Sequence, residues 1–247
     1  MFSIFRKRID SLAADYSRLG ADMHSHLVPG IDDGSPDLDT SLELIRGMVD
    51  LGYKKLITTP HIYPDIYPNN RDTILPGQAL VVAAVKEQGI PVEFHAAAEY
   101  LLDDRFEDLL DRGEPLLTLR DNWVLVELSF IVPAINLKDL LFKMQISGYQ
   151  PVLAHPERYL YFGGNKGWYD QLKDFGCLFQ LNILSLTGHY GKDCLDLAQY
   201  LVKKQYIDLL GTDLHHVGHL EMLRSSSRIM PVVNKLIDSG RIRNAGL

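Results

Sequence analysis

Apolar runs recur along the chain at nearly even intervals, and each is followed by a stretch with helical periodicity. The strand candidates are 20–26, 55–61, 92–99, 123–129, 150–155, 177–182 and 207–213. Several are apolar at consecutive positions, as in Trp123-Val124-Leu125-Val126 and Leu209-Leu210. Strands buried on both faces of a parallel sheet have this pattern. The helix candidates are 38–51, 80–88, 137–147, 168–175, 194–204 and 220–239. In the first, Leu42, Ile45, Met48 and Val49 share one face and Gly52 stops the run. Strand then helix, repeated about seven times with short links, predicts βα units around a parallel sheet. Right-handed crossovers close such a series into a β/α barrel. The expected fold is therefore α/β in a single domain, residues 21–247. Residues 1–20 stand apart: Phe2, Phe5, Ile9, Leu12, Tyr16 and Leu19 have the 3,4 spacing of an amphipathic helix. Such a helix packs on the barrel, forms a self-association seam or rests on a membrane surface through its basic residues.

Polar residues interrupt this pattern at a consistent place. His24 and His26, His61, Glu99, Glu127, His155, Asn182 and Asp213 each fall at the C-terminal end of a strand candidate. In β/α barrels that end carries the active site. From His26 onward the gaps are 35, 38, 28, 28, 27 and 31 residues, each near one βα unit. His24 and His26 sit two apart, as do Asp213 and His215, so each pair can share a face and reach one ion. Imidazoles and carboxylates gathered in this way suit Zn, Mn or Fe, and several such ions side by side make a hydrolytic centre. His95, His189, His216 and His219 read as packing or supporting residues.

Composition narrows the partners. A net charge of −7 argues against nucleic acid, and removing Asp33, Glu99, Glu127 and Asp213 from the count leaves −3. The two cysteines imply no disulfide framework. No apolar run is long enough to span a membrane, and no apolar stretch follows Arg6-Lys7-Arg8 as a signal peptide requires. A cytoplasmic protein is expected. A thiolate phosphatase needs an Arg six residues after its Cys. Ile183 and Tyr200 occupy those positions after Cys177 and Cys194, so both cysteines read as packing residues.

The motifs Asp22-Met23-His24-Ser25-His26, Gly30-Ile31-Asp32-Asp33-Gly34, Thr59-Pro60-His61, Ala98-Glu99-Tyr100, Val126-Glu127-Leu128-Ser129, His155-Pro156-Glu157-Arg158-Tyr159 and Thr212-Asp213-Leu214-His215 together resemble the PHP (polymerase and histidinol phosphatase) superfamily. Within it they resemble the bacterial capsule-locus tyrosine-protein phosphatases, from Asp22 onward. The resemblance implies a distorted (β/α)7 TIM-like barrel with parallel strands and three divalent ions (Mn, Fe or Zn). His24, His26, Glu99 and Asp213 would hold the first ion. Glu99 would bridge to a second, completed by Glu127 and His155. Asp33, His61 and His215 would hold the third. Spacing alone does not choose Asp33 over Asp32; a Gly-flanked turn past the first strand can fold Asp33 back over the site.

The resemblance also makes Arg158, Asp33 and His61 catalytic, with Arg158 gripping phosphate oxygens rather than forming a surface ion pair. It implies hydrolysis of phosphotyrosine by a metal-bridging hydroxide. The protein substrate would be the tail of a tyrosine autokinase in capsule or exopolysaccharide assembly. A small-molecule phosphatase, such as one for histidinol phosphate, and a non-catalytic regulatory module are the alternatives. The Pro-rich loop after His61 brings Tyr63 and Tyr67 to the rim as one wall for a phosphotyrosyl ring, or merely covers it. Tyr159, with Tyr161 and Phe162, is the candidate opposite wall. Glu43 and Arg46 form either a local i, i+3 ion pair or, by the same resemblance, a self-assembly motif of a homo-oligomer.

Overall fold

The computed structural model describes residues 14–247. Every strand pairing is parallel, and the strands fall into two sheets. The smaller sheet has β1 (Ala21–Asp22), β2 (Lys55–Thr58) and β4 (Glu93–Ala96) in that order. The larger has β3 (His61–Ile62), β5 (Glu99–Leu101), β6 (Trp123–Glu127), β7 (Gln150–Ala154), β8 (Leu178–Asn182) and β9 (Leu209–Gly211). Thr59-Pro60 and Ala97-Ala98 separate β2 from β3 and β4 from β5, so these two chain segments run through both sheets. The ladder continues across the breaks: the Ala97 N–H donates to Thr58 O at 2.8 Å and the Glu99 N–H to Pro60 O at 3.1 Å. Pro60 itself has no N–H to give.

Among the described residues the sheet is not closed, as a barrel would require. The edges β1 and β9 are joined instead by an isolated bridge, Ser25 to Leu214, and by side chains. Asp213 N–H donates to His24 O at 2.7 Å, and His26 N–H to Leu214 O at 2.9 Å. Asp213 has φ 52°, so the chain leaves strand geometry where a regular ladder would have formed. Asn244 fills the gap at the other end. Its amide donates to Ala21 O (3.0 Å) and Leu210 O (2.7 Å), and its oxygen accepts from Leu210 N–H (2.9 Å).

Alternate strand residues feed two clusters, as a period of two demands. Ile57, Leu125, Val152, Leu178 and Leu209 join Met23 and Ala97 in a small inner cluster. Leu56, Phe94, Val124, Val126, Leu153, Phe179, Leu181 and Leu210 face the helices in the main one. The helices are α1 (Leu38–Asp50), α2 (Arg71–Glu87), α3 (Asp104–Asp111), α4 (Leu137–Ile146), α5 (Gly167–Asp174), α6 (Lys192–Lys204), α7 (Val217–Ser225) and α8 (Met230–Asp238).

Three differ from expectation. α2 begins nine residues before position 80, because Asn70 and Thr73 form a capping box that overrides Pro76. α3 is only eight residues long, with a short stripe of Phe106, Leu109 and Leu110, and the Asp103 side chain caps it by accepting the Phe106 N–H. The helix expected over 220–239 is broken at Ser226, whose hydroxyl bonds Leu223 O and lies 2.5 Å from the Tyr16 hydroxyl. Tyr16 and Leu19 are buried in the core but lie outside any helix. The rest of the predicted N-terminal helix, residues 1–13, lies outside the described residues. Arg46 turns to the Gln88 side chain and not to Glu43, so the expected ion pair is not formed. No helix among the described residues is long and apolar enough to cross a membrane.

Asn244→Ala should leave three buried backbone groups without partners, at about 1–3 kcal/mol each. Urea titration should show a loss of several kcal/mol; a change under about 0.5 kcal/mol would mean that water replaces the side chain.

Candidate metal centre

All nine predicted ligands meet at the C-terminal ends of the strands. Their donor atoms form four overlapping groups, each within 4.8 Å: His26, Asp33, His61 and His215; His24, His26 and Asp213; His24, Glu99 and His155; His61, Glu99 and Glu127. Glu99, His24, His26 and His61 are each common to two groups, so the groups run into one another. Asp33, His61, Glu127, His155, Asp213 and His215 line a cavity of about 300 Å³ together with Phe130, Arg158, Tyr190, His216 and His219.

The donor set fits cations. His24 Nε2 and His26 Nε2 face each other at 3.4 Å, beside Glu99 and Asp213. Their outer nitrogens are already committed: His24 Nδ1 to Gln180 Oε1 at 2.9 Å and His26 Nδ1 to Asp32 Oδ2 at 2.8 Å. His215 Nδ1 likewise meets the Asp213 carbonyl at 2.9 Å. An oxygen acceptor puts the proton on Nδ1 and turns the Nε2 lone pair inward, the usual outer support of a metal-bound imidazole. His61 Nδ1 is buried without a hydrogen bond, although Glu99 and Glu127 carboxylates lie 3.3 and 3.2 Å away.

The two adjacent aspartates separate cleanly. Asp32 is turned outward to His26 and also accepts the His61 N–H at 3.1 Å and the Gly34 N–H at 3.0 Å. Asp33 Oδ1 lies 3.5 Å from both His61 Nε2 and His215 Nε2. A Cβ at Gly34 would come within 2.2 Å of His26 O, so only glycine lets this turn lie against the first strand. Two of the predicted ligands sit on positive-φ backbone, His155 at 32° and Asp213 at 52°, a strain that clusters at functional sites.

The charges hold one another. Burial alone would depress the His24 imidazole, but Glu99 and Asp213 more than offset it and lift it to about 9. His26 is also raised against its burial, by Asp32 and Asp213. Burial pushes the Glu99 carboxyl up, yet His24 and hydrogen bonds from three imidazoles bring it well below the carboxylate range. His155 goes the other way, lowered by burial and by Arg158.

Arg158 Nη1 donates to Asp213 Oδ2 at 2.7 Å. Its guanidinium lies over the Phe130 and Tyr190 rings, 4.8 and 4.4 Å from their centroids. Asn182 steadies the same carboxylate oxygen at 3.0 Å.

The aromatic walls need correction. Tyr67 stacks on His61 at 5.4 Å, whereas Tyr63 pairs with the Tyr67 backbone; neither lines the cavity. Tyr159 is fully buried behind His155, with its hydroxyl accepting the Leu128 N–H, and cannot meet a ligand. Phe130 occupies that wall. Its position three residues past Glu127, leaving a strand end, is the signal that could have found it. Gln180 was also missed, since nothing local marks an inward-facing glutamine on β8. His219 and His216 line the cavity, and His219 Nδ1 accepts the His215 N–H at 3.4 Å. His95 is exposed on β4, neither packed nor near the site. Both cysteines are buried away from the cavity, and burial pushes Cys177 up to about 12 and Cys194 to about 11.

Residues 20–229 match the model of the CpsB/CapC family of capsular polysaccharide synthesis. The chain is 29% identical over 197 residues to the tyrosine-protein phosphatase YwqE of Bacillus subtilis, covering 79% of this chain and 77% of that protein. It is 26% identical over 204 residues to the tyrosine-protein phosphatase CpsB of Streptococcus pneumoniae, covering 79% and 83%. A solved structure from work on these two proteins, described as unique metal-dependent tyrosine phosphatases, superposes with a TM-score of 0.78. It does so at 28% identity over 87% of this chain and 86% of that one.

Asp32→Ala should free the His26 ring and weaken ion binding about 10–100-fold, read by competition with a chelating dye. Unchanged affinity would remove Asp32 from the site. Protonated imidazoles must give up protons to a metal. In the ion-free protein the raised His24 stabilises the fold below its unfolded value of about 6.5, and this is lost as pH rises through about 9. Ion affinity should run oppositely and rise with pH. Calorimetry at pH 7 in two buffers of different ionisation enthalpy should show proton release on adding Mn; no release would mean the imidazoles were already neutral.

Proposed function

The chain belongs to the CpsB/CapC family of capsular polysaccharide synthesis, and from that premise we propose that it is a metal-dependent protein-tyrosine phosphatase. The observation that carries this reading is a cluster of nine hard donor residues, six of which line one cavity beside a guanidinium. We take the substrate to be a phosphotyrosine protein, the tail of a tyrosine autokinase in capsule or exopolysaccharide assembly.

In this reading His24, His26, Glu99 and Asp213 hold one ion, Glu99, Glu127 and His155 a second, and Asp33, His61 and His215 a third. The donor chemistry suits Mn, Fe or Zn. Bound there, the ions would polarise phosphoryl oxygens and make a nucleophile of water at neutral pH. Arg158 presents a rigid fork to two phosphoryl oxygens, and Asp213 and the Phe130–Tyr190 rings fix its direction. Asp32 and Gln180 hold His26 and His24 in the tautomer a ligand needs. A phenol leaves with a pKa of about 10 and needs little help from a general acid, so tyrosyl esters suit this site better than alkyl ones. Thiolate chemistry is excluded, because both thiols are buried outside the cavity and held protonated.

The same reading treats residues 21–247 as one domain, in the cytoplasm, and its two sheets as a distorted (β/α)7 barrel. The bonds between β1 and β9 and the inner apolar cluster support the barrel.

Protein stripped with EDTA should lose hydrolysis of a phosphotyrosyl peptide and regain it with Mn, Fe or Zn. Arg158→Ala should keep its ions and lose about 10²–10³ in kcat/KM. Failure of all three ions to restore activity, or a strong preference for histidinol phosphate, would overturn the reading.

A further inference from the structure

We propose that Phe130 is the residue that makes the site select aryl over alkyl phosphates, an inference that rests on the phosphatase reading. A phosphoryl group gripped by Arg158 has its ester oxygen, and whatever follows it, next to the groups that flank the guanidinium. Those are Phe130 and Tyr190. Tyr190 is tied by its hydroxyl to Asn182 at 3.1 Å and is largely covered. Phe130 stacks near His155, centroids 5.7 Å apart, and still leaves 48% of its surface exposed at the cavity.

Other aromatic candidates are spoken for. Tyr67 lies on His61, outside the cavity lining, and Tyr159 is buried beneath Phe130 at 5.6 Å. Phe130 is thus the one half-exposed carbocyclic ring on the cavity wall among the described residues that no hydrogen bond restrains. An aryl leaving group can pack on it in offset or edge-to-face geometry, while an alkyl chain of serine or threonine is too short to cover it. The loop beyond it leaves Ile131 88% and Val132 59% exposed, so the apolar surface continues outward from the ring.

The test must separate contact with the ligand ring from support of Arg158. Phenylphosphonate and methylphosphonate share the phosphoryl head and are not hydrolysed. Their Kd values would be measured by calorimetry on the metal-loaded wild type, Phe130→Ala and Phe130→Trp. The wild type should prefer phenylphosphonate by about tenfold, the scale of one aromatic pair with part of its buried area. Phe130→Ala should lose that preference, weakening phenylphosphonate about tenfold more than methylphosphonate, and Phe130→Trp should restore it. Equal weakening of both ligands in Phe130→Ala would show that the ring only positions Arg158. A preference that survives in Phe130→Ala would place the aryl contact elsewhere; either result overturns the proposal. Phosphotyrosyl peptide turnover by the wild type is measured alongside. Aryl preference without turnover would remove the phosphatase reading and leave the Phe130 contact, and turnover without preference would do the reverse.

Discussion

Four carboxylates and five imidazoles share one largely buried cup, and its buried carboxylates cannot be there without positive charge beside them. Much of the fold follows from this requirement. The strands end where the ligands begin, two ligands accept left-handed backbone, and an outer ring of Asp32, Gln180 and Asn182 fixes their directions. In the ion-free protein, protons on His24 and His26 supply the positive charge. Cations would take over that role, with the same side chains in nearly the same places. The cup is prepared for ions because positive charge on its imidazoles and Arg158 already holds its carboxylates together.

Arg158 shows the requirement at its boundary. It is the fixed positive charge of the cup, and it pairs with Asp213. The two rings beside it shield that pair from water and keep a flexible side chain in one orientation. One residue thereby balances the ligand set and points charge into the cavity. Family membership and structural likeness to metal-dependent tyrosine phosphatases agree with such an arrangement.

Much of this was legible in the sequence, for a definite reason. A βα unit has a narrow length range, so a hard ligand recurring about every thirty residues at the end of an apolar run can mark only a strand-end rim. Eight of the nine gathered ligands follow from that spacing. Asp33 did not, because the difference between Asp32 and Asp33 is one of direction, and the direction depends on Gly34 lying against His26. Gln180 was invisible because its partners lie far away along the chain, and Phe130 was marked only by its place three residues past Glu127. The open seam between β1 and β9 was hidden as well. A run of apolar residues announces a strand, but not that Asp213 will bend out of it or that Asn244 will serve as its neighbour.

The two sulfhydryl groups have a consequence beyond packing. Enzymes that cleave phosphotyrosine through a thiolate lose activity when that sulfur is oxidised, and cells use peroxide to silence them. Here both sulfurs are walled off from solvent and carry their protons, so peroxide finds no reactive thiolate at the cavity. Dephosphorylation of this design would continue through an oxidative burst that stops thiol-based enzymes, with redox sensitivity confined to whichever ion the cup holds.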